Sequence, residues 1–453
     1  MNGEWTNLRN KKERSGTQRF WAWRLLLIFV LSMFHILLVA CTAGSQPEMS
    51  SSAPRKVLIL AHNQNRKSIA DSIQDSANRF MADYPDYEVR IERYINEAYK
   101  KKLASAAAMG DLPDVFATWG GETLNEYVRL GMVIDLTELM EKNQDMDRFL
   151  PAAMTRVTSA GGVWGVPVEN IALALIFYNK DIFSRYGLSE PQTWPELLDI
   201  VKKLKNEGMI PFALANRSGW TGSMYYMYLV DRLAGPTLFA NARNRTLPEG
   251  FAAPEFVAAW DYVRELADLG AFPDNTNTLD EDVGDGKQLL YDGKAARSLN
   301  GSWLIADIYD EQPDFLEKID FFTFPSIPEG KGDPRNLVGT VGDQYYSVSS
   351  GSEDPEMAYT LIRYMIDDAA VRQRLSAYVI PPLKGVYPQD PLLERIRQLT
   401  ETAPSIQFWY DQCLSPRLAE EHKQICRDIF EDLDPISAAN RMEQAARIYA
   451  QGQ

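Results

Sequence analysis

Lys56-Val57-Leu58-Ile59-Leu60-Ala61 is a short β-rich apolar run, and the segments after it set the fold class. Polar residues His62 to Lys67 come next. Then Ile69, Ile73, Ala77 and Phe80 recur at helical spacing, with Ser68 as a cap candidate. Tyr87-Glu88-Val89-Arg90-Ile91-Glu92 alternates like a strand, and Lys101 to Met109 reads as an Ala-rich helix ended by Gly110. Pro113-Asp114-Val115-Phe116-Ala117 is a further short strand running into Trp119-Gly120-Gly121. Strand, helix, strand, helix, strand predicts α/β layers.

Further along, Gly165 to Tyr178 is a long apolar stretch suited to a strand that crosses between lobes. Thr193-Trp194-Pro195-Glu196 has capping-box spacing. Ala253-Pro254-Glu255, Asp354-Pro355 and Asp434-Pro435 read as helix starts. No internal repeat is visible.

The N-terminus has its own order. Arg9, Lys11, Lys12, Arg14, Arg19 and Arg24 precede an apolar run of 16 residues, Leu25 to Ala40, which ends on Leu38-Val39-Ala40-Cys41. Basic segment, apolar segment and small residue make a secretory signal over 1–40. The run is short for a membrane span, which needs about 20 apolar residues. Thr42 to Pro54 is rich in Ser, Pro, Ala and Gly and reads as a flexible tether over 41–54. The cysteine after the cut resembles a bacterial lipobox, which implies lipidation at Cys41 and attachment to the extracytoplasmic face of a cell membrane, as in a Gram-positive envelope.

The 413 residues from Cys41 to Gln453 are too many for one ordinary core and predict two or more lobes. The net charge is -15 for the whole chain and about -19 from Cys41 onward. That excess of carboxylates argues against nucleic acid, which demands basic patches. Cys413 and Cys426 are the other two cysteines. A disulfide between them, or two free thiols, both fit an extracytoplasmic chain. With three histidines (His35, His62 and His422) there is little basis for metal or triad chemistry, and no metal site or cofactor is expected.

Several tryptophans stand beside glycine or in turn-rich segments: Trp119, Trp164, Trp220 and Trp303, with Trp409-Tyr410 after the polar stretch 403–407. An indole beside a glycine presents a flat apolar face to a ligand or packs into the core; Trp164 reads as core. Sugar rings suit such plates, with Asp, Glu, Asn and Arg around the hydroxyl rim.

Three blocks carry a family resemblance. The first is Leu175-Ile176-Phe177-Tyr178-Asn179-Lys180-Asp181-Ile182-Phe183, followed by Tyr186-Gly187-Leu188 and Thr193-Trp194-Pro195-Glu196-Leu197. The second is Tyr291-Asp292-Gly293-Lys294-Ala295-Ala296 with Asn300-Gly301-Ser302-Trp303. The third is Pro113-Asp114-Val115-Phe116 with Gly131-Met132-Val133-Ile134-Asp135-Leu136. Together they resemble family 1 extracellular solute-binding proteins, the sugar-binding class of ATP-driven importers, over nearly all of residues 55–450. The resemblance implies a two-lobed periplasmic-binding-protein-like fold with a ligand cleft between lobes and hinge-crossing segments. It places the N-lobe at 55–166 and 325–375 and the C-lobe at 167–320 and 385–450. The crossings fall near Gly165 to Asn170, near Ile319 to Pro325 and within Tyr378 to Pro388.

Carried over by position, the resemblance implies ligand-binding roles for Asn63 in the first loop, Trp119 and Glu122 after the third strand, Trp220, Trp303, Trp409 and Tyr410. Asp343 accepts from a hydroxyl or caps a turn; Glu169 and Asn170 belong to hinge or ligand. Two departures from maltose-binding members stand out: Trp119-Gly120-Gly121-Glu122 lacks their charged cluster, and His62 to Arg66 shows no clear equivalent of their first-loop basic residue. The implied function is a lipid-anchored, non-enzymatic, monomeric binding component that captures a mono- or oligosaccharide and hands it to ABC transporter permease subunits. The rivals are a surface-anchored glycoside-degrading enzyme, which needs a carboxyl pair, and a sugar-sensing accessory of a membrane sensor.

Overall fold

β1 (Lys56–His62) is the centre from which the first sheet grows. The computed structural model describes residues 55–451; the signal segment, Cys41 and the tether lie outside the described residues. β1 pairs in parallel with β2 (Tyr87–Arg93) and β3 (Val115–Thr118), because the helices α1 (Lys67–Asp83) and α2 (Asn96–Met109) return the chain over the sheet between them. Gly110 ends α2 in the left-handed conformation. The start of α1 differs from expectation. Arg66 is its N-cap with no side-chain cap bond, and Ser68 lies inside the first turn.

Two short strands complete the sheet, β4 (Val166–Pro167) and, much later in the chain, β10 (Tyr345–Val348), in the order β2-β1-β3-β10-β4. The second sheet is built on β5 (Ile171–Asn179), buried along its length except for the half-buried Tyr178, as a strand flanked on both sides must be. β7 (Ala295–Gly301), β8 (Ile319–Phe322) and β9 (Leu337–Val341) pair with it antiparallel, while β6 (Ile210–Phe212) and β11 (Ile406–Gln407) extend the edges. Each lobe has its own core. Phe80, Tyr99, Phe116 and Tyr359 fill the first. Trp260, Tyr226 and Phe256 anchor the second, with the Trp260 and Tyr226 rings stacked at 3.6 Å.

The chain first crosses between sheets at Val168 to Asn170, within the expected segment. The apolar run is not one strand, however: Asn170 adopts a positive φ of 39° and breaks it. The second crossing lies at Gly342 to Gln344, not near Ile319 to Pro325. β9 hydrogen-bonds β5 in the C-lobe, so the N-lobe regains the chain only at β10. The two crossings are bonded to each other. The Asn170 carbonyl accepts from the Gly342 and Asp343 amides at 3.0 and 2.9 Å, and the Gln344 carbonyl accepts from Val168 and Glu169. Glu169 is buried and paired with Arg374 at 3.2 Å, which makes it part of this hinge rather than of the cleft wall. Cys413 and Cys426 are separate buried thiols. No helix among the described residues is long and apolar enough to cross a membrane.

Candidate functional site

A cleft lies between the two sheets, walled by both lobes. Its C-lobe wall is a row of three indoles. Trp220 and Trp303 meet edge-on with ring centres 5.9 Å apart, and Trp303 and Trp409 are tilted at 5.8 Å. The local sequence explains each placement. β7 ends at Gly301, where any side chain would collide with the Trp303 ring, since an added Cβ would lie 2.2 Å from it. Ser302 then locks the turn to β5: its hydroxyl donates to the Ile171 carbonyl at 2.9 Å and accepts from the Leu173 amide at 3.2 Å. Trp303 is the N-cap residue of α4 (Leu304–Glu311). Trp220 opens α3 (Trp220–Ala234) after Gly219. Gly219 has a positive φ and packs so closely on the Lys423 carbonyl that a Cβ would sit 2.2 Å from it.

The N-lobe wall is polar. Asn63, after β1, donates to Asn96 Oδ1 at 3.1 Å and accepts from Gln344 Nε2 at 2.6 Å. Among the described residues, Gln344 Oε1, buried at the cleft wall, has no hydrogen-bond partner, and neither does the Trp220 indole N–H. Trp119 also faces the cleft, with the Lys100 ammonium 5.3 Å from its ring centre. Asp343 lines the cleft from the second crossing.

Two expected residues stand elsewhere. Glu122 is on the helix Gly121–Arg129 and pairs with Arg129 at 2.8 Å, outside the cleft lining. Tyr410 is buried and stacks on Phe239 at 3.6 Å, inside the C-lobe core. Residues 408–410 alternate in direction, so only the middle ring reaches the cleft; Phe408 instead packs beneath the Arg156 guanidinium.

Several cleft residues had no signal strong enough to be chosen from sequence. Arg66 is one, a basic residue of the first loop that sequence alone did not mark; it forms an ion contact with Asp307 at 2.6 Å, although its N–H is not aligned on the oxygen. Asp307 follows Trp303 by four residues, one helical turn, so the two share a face. Asn96 and Lys100 have the same spacing on α2. Glu281 and Asp282 come from an acidic, glycine-punctuated loop whose pattern also suits any turn.

Among the described residues the lining holds five carboxyl groups against three cations. The cations are occupied: Arg66 by Asp307, Lys287 by Asp307 and Glu311, Lys100 by Glu97 and Asp411. Burial alone would lower the Lys100 pKa, but Glu97 and Asp411 outweigh it and raise it. Glu281 and Asp343 have no cation within ion-pair distance among the described residues. Burial pushes Glu281 up to about 7, opposed by the hydrogen bond it accepts from Asn300 at 2.8 Å. Burial likewise pushes Asp343 up to about 6, with Arg66 pulling the other way. Ser223 also lines the cleft, and its Oγ lies 2.7 Å from Nε2 of the buried His422 behind it. Burial holds that imidazole down at about 3, so it stays neutral and orients the hydroxyl.

Residues 66–372 match the family described as Bacterial extracellular solute-binding protein. A multiple sugar-binding protein of Streptococcus mutans is 25% identical over 360 residues, covering 78% of this chain and 80% of that one. The melibiose/raffinose/stachyose-binding protein MelE of Bacillus subtilis is 24% identical over 370 residues, covering 78% and 80%. Among solved structures, one from work on xylan utilization by Caldanaerobius polysaccharolyticus superposes with a TM-score of 0.80 at 25% identity, covering 86% of this chain and 99% of that one. A chitin oligosaccharide binding protein shares the fold with a TM-score of 0.79 at 22% identity, covering 87% and 98%.

Proposed function

Given that the chain belongs to the bacterial extracellular solute-binding proteins, we propose that it captures a neutral carbohydrate between its lobes and delivers it to the permease of an ABC importer from a lipid anchor at Cys41. The observation that carries this reading is the row of Trp220, Trp303 and Trp409 facing a polar wall across the cleft. Indole faces cover the apolar C–H faces of sugar rings. Gln344 Oε1, Asp343 and Glu281 accept from hydroxyls, and the Trp220 N–H donates. The relatives named for sugars give the same direction.

The charge balance supports a neutral ligand over an acidic one. Every cleft cation already has a carboxylate, so a uronate or sugar phosphate would meet unpaired carboxyls in a partly desolvated site. Of the three carboxyls that could serve a glycosidase, Glu122 is outside the cleft lining and Glu169 is held in the hinge by Arg374, so Asp343 lines the cleft without either of those two as a partner. The anchor fits the basic segment, apolar run and cysteine of residues 9–41, and keeps a binding protein near its permease.

The test is a thermal-shift and calorimetric screen over xylo-, chito- and galacto-oligosaccharides, each with its uronate counterpart. Stabilisation by a neutral saccharide, with the uronate weaker, is the expected outcome. Stabilisation by no carbohydrate, or hydrolysis of a glycan by the purified protein, refutes the reading.

A further inference from the structure

The start of α1 is built badly on its own terms. Its first residues are Arg66, Lys67 and Ser68, with no acidic residue in the first turn and no side-chain cap. Positive charge at this end opposes the helix dipole, and the first amides have no partner within the helix. Both defects are met from the other lobe. Asp310 Oδ2, on α4 of the C-lobe, accepts from the Ser68 amide at 3.0 Å and from the Ser68 hydroxyl at 3.1 Å. Asp307, one turn earlier on α4, pairs with Arg66. Other polar contacts span the same gap: the Glu97 amide donates to Asp282 at 2.9 Å, and Lys423 faces Glu97 at 3.5 Å.

We propose that α4 is a closure latch, in which Asp310 caps α1 across the cleft and thereby sets ligand affinity without touching the ligand. Asp310 is absent from the cleft lining, so it is a positioning residue. In the open form the α1 amides and Asp310 return to water. The closed form therefore has a favourable contribution of its own, and apparent affinity scales with the fraction of molecules that are closed. The latch also joins closure to the binding face: Trp303 is the residue immediately before α4, so the helix that carries the indole is the one that α1 holds. The affinity part of this inference rests on the carbohydrate-binding reading; the closure part does not.

The test uses the full chain with spin labels at Met109→Cys and Ile436→Cys, exposed positions on the N-lobe and C-lobe, with Cys41→Ser to prevent labelling there. Electron–electron distance measurement then reads the ratio of closed to open molecules without ligand. Losing a helix cap corresponds to about a five-fold change in that ratio, so Asp310→Ala is expected to lower it three- to ten-fold. The affinity for whichever of raffinose, xylotetraose or chitotetraose binds should weaken in proportion to the fall in the closed fraction measured without ligand. Ser68→Ala, which keeps the amide bond, should give a smaller shift in the same direction and serves if Asp310→Ala does not fold. An unchanged closed-to-open ratio in both variants overturns the latch. If none of the three saccharides binds the parent chain, the carbohydrate reading falls while the distance measurement still decides the latch.

Discussion

Replacing Trp303 with alanine is the sharpest test of the indole wall. Trp303 is half-buried, leaning on Trp220 on one side and Trp409 on the other. A tryptophan side chain buries 150–250 Å² in full, so a partly covered one leaves on the order of 60–80 Å² of ring for a ligand. The sugar face that lies on it loses a similar area from water. At about 25 cal/mol per Å² the two faces together are worth about 3–4 kcal/mol, of which ligand ordering removes a part. The expected loss is therefore about 2–3 kcal/mol, a 30- to 150-fold rise in Kd. Isothermal titration with the saccharide found by thermal shift measures it. Trp303→Phe should recover about half of the loss, because a smaller plate still covers part of the ring. The fold should survive, since the ring lies at the edge of the C-lobe core and the β7-to-α4 turn is held by Ser302. If Trp303→Ala binds as tightly as the parent, the indole does not touch ligand. If it fails to fold, Trp303 is a core residue and the site has been misassigned.

Ser302→Ala should act on stability instead: it strips the Ile171 carbonyl and Leu173 amide of their side-chain partner in a buried turn, at a cost of about 2 kcal/mol. A shift in urea midpoint equivalent to less than about 0.5 kcal/mol would mean that water repairs the turn. For pH, Glu281 moves from 4.5 up to about 7 on folding, so the folded chain keeps a proton that the unfolded chain has lost; its contribution lowers ligand-free stability as pH rises from about 4.5 to about 7. His62 and His422, held down by burial at about 4 and about 3, act with the opposite sign below 6.5, so the comparison is by difference: Glu281→Gln should make the stability less prone to fall across that window, and identical urea midpoints against pH for parent and variant would refute the assignment. Cys41→Ser should release the protein from the membrane fraction with saccharide affinity unchanged; retention in the membrane would show that something other than a lipid on Cys41 holds it.

The layered fold was legible because its signals are local and periodic. The helix face of Ile69, Ile73, Ala77 and Phe80, the buried run Ile171 to Phe177 and the capping box at Thr193 each depend on neighbours within a few residues. Several indoles were legible for a similar reason: Gly301 stands two residues before Trp303 because the ring lies on it, and that constraint is written within three letters. The second crossing was not. Whether Leu337–Val341 joins one sheet or the other depends on which distant strand has a free edge, and both sheets accept an apolar five-residue strand. Trp409 and Tyr410 are neighbours of the same chemical type; only packing against Phe239 decides that one faces the core and the other the cleft.

By itself the sequence determined the alternation of elements, the apolar faces and the tryptophans that stand in glycine- and turn-rich segments, because these follow from backbone period and side-chain chemistry. The tertiary structure decided the charge of the site and the means of closing it. Arg66, Asp307 and Asp310 are ordinary surface letters on two helices more than 200 residues apart. They become a pair and a cap only when the lobes meet, since an ion contact of 2.6 Å is a property of folded distance and not of order along the chain.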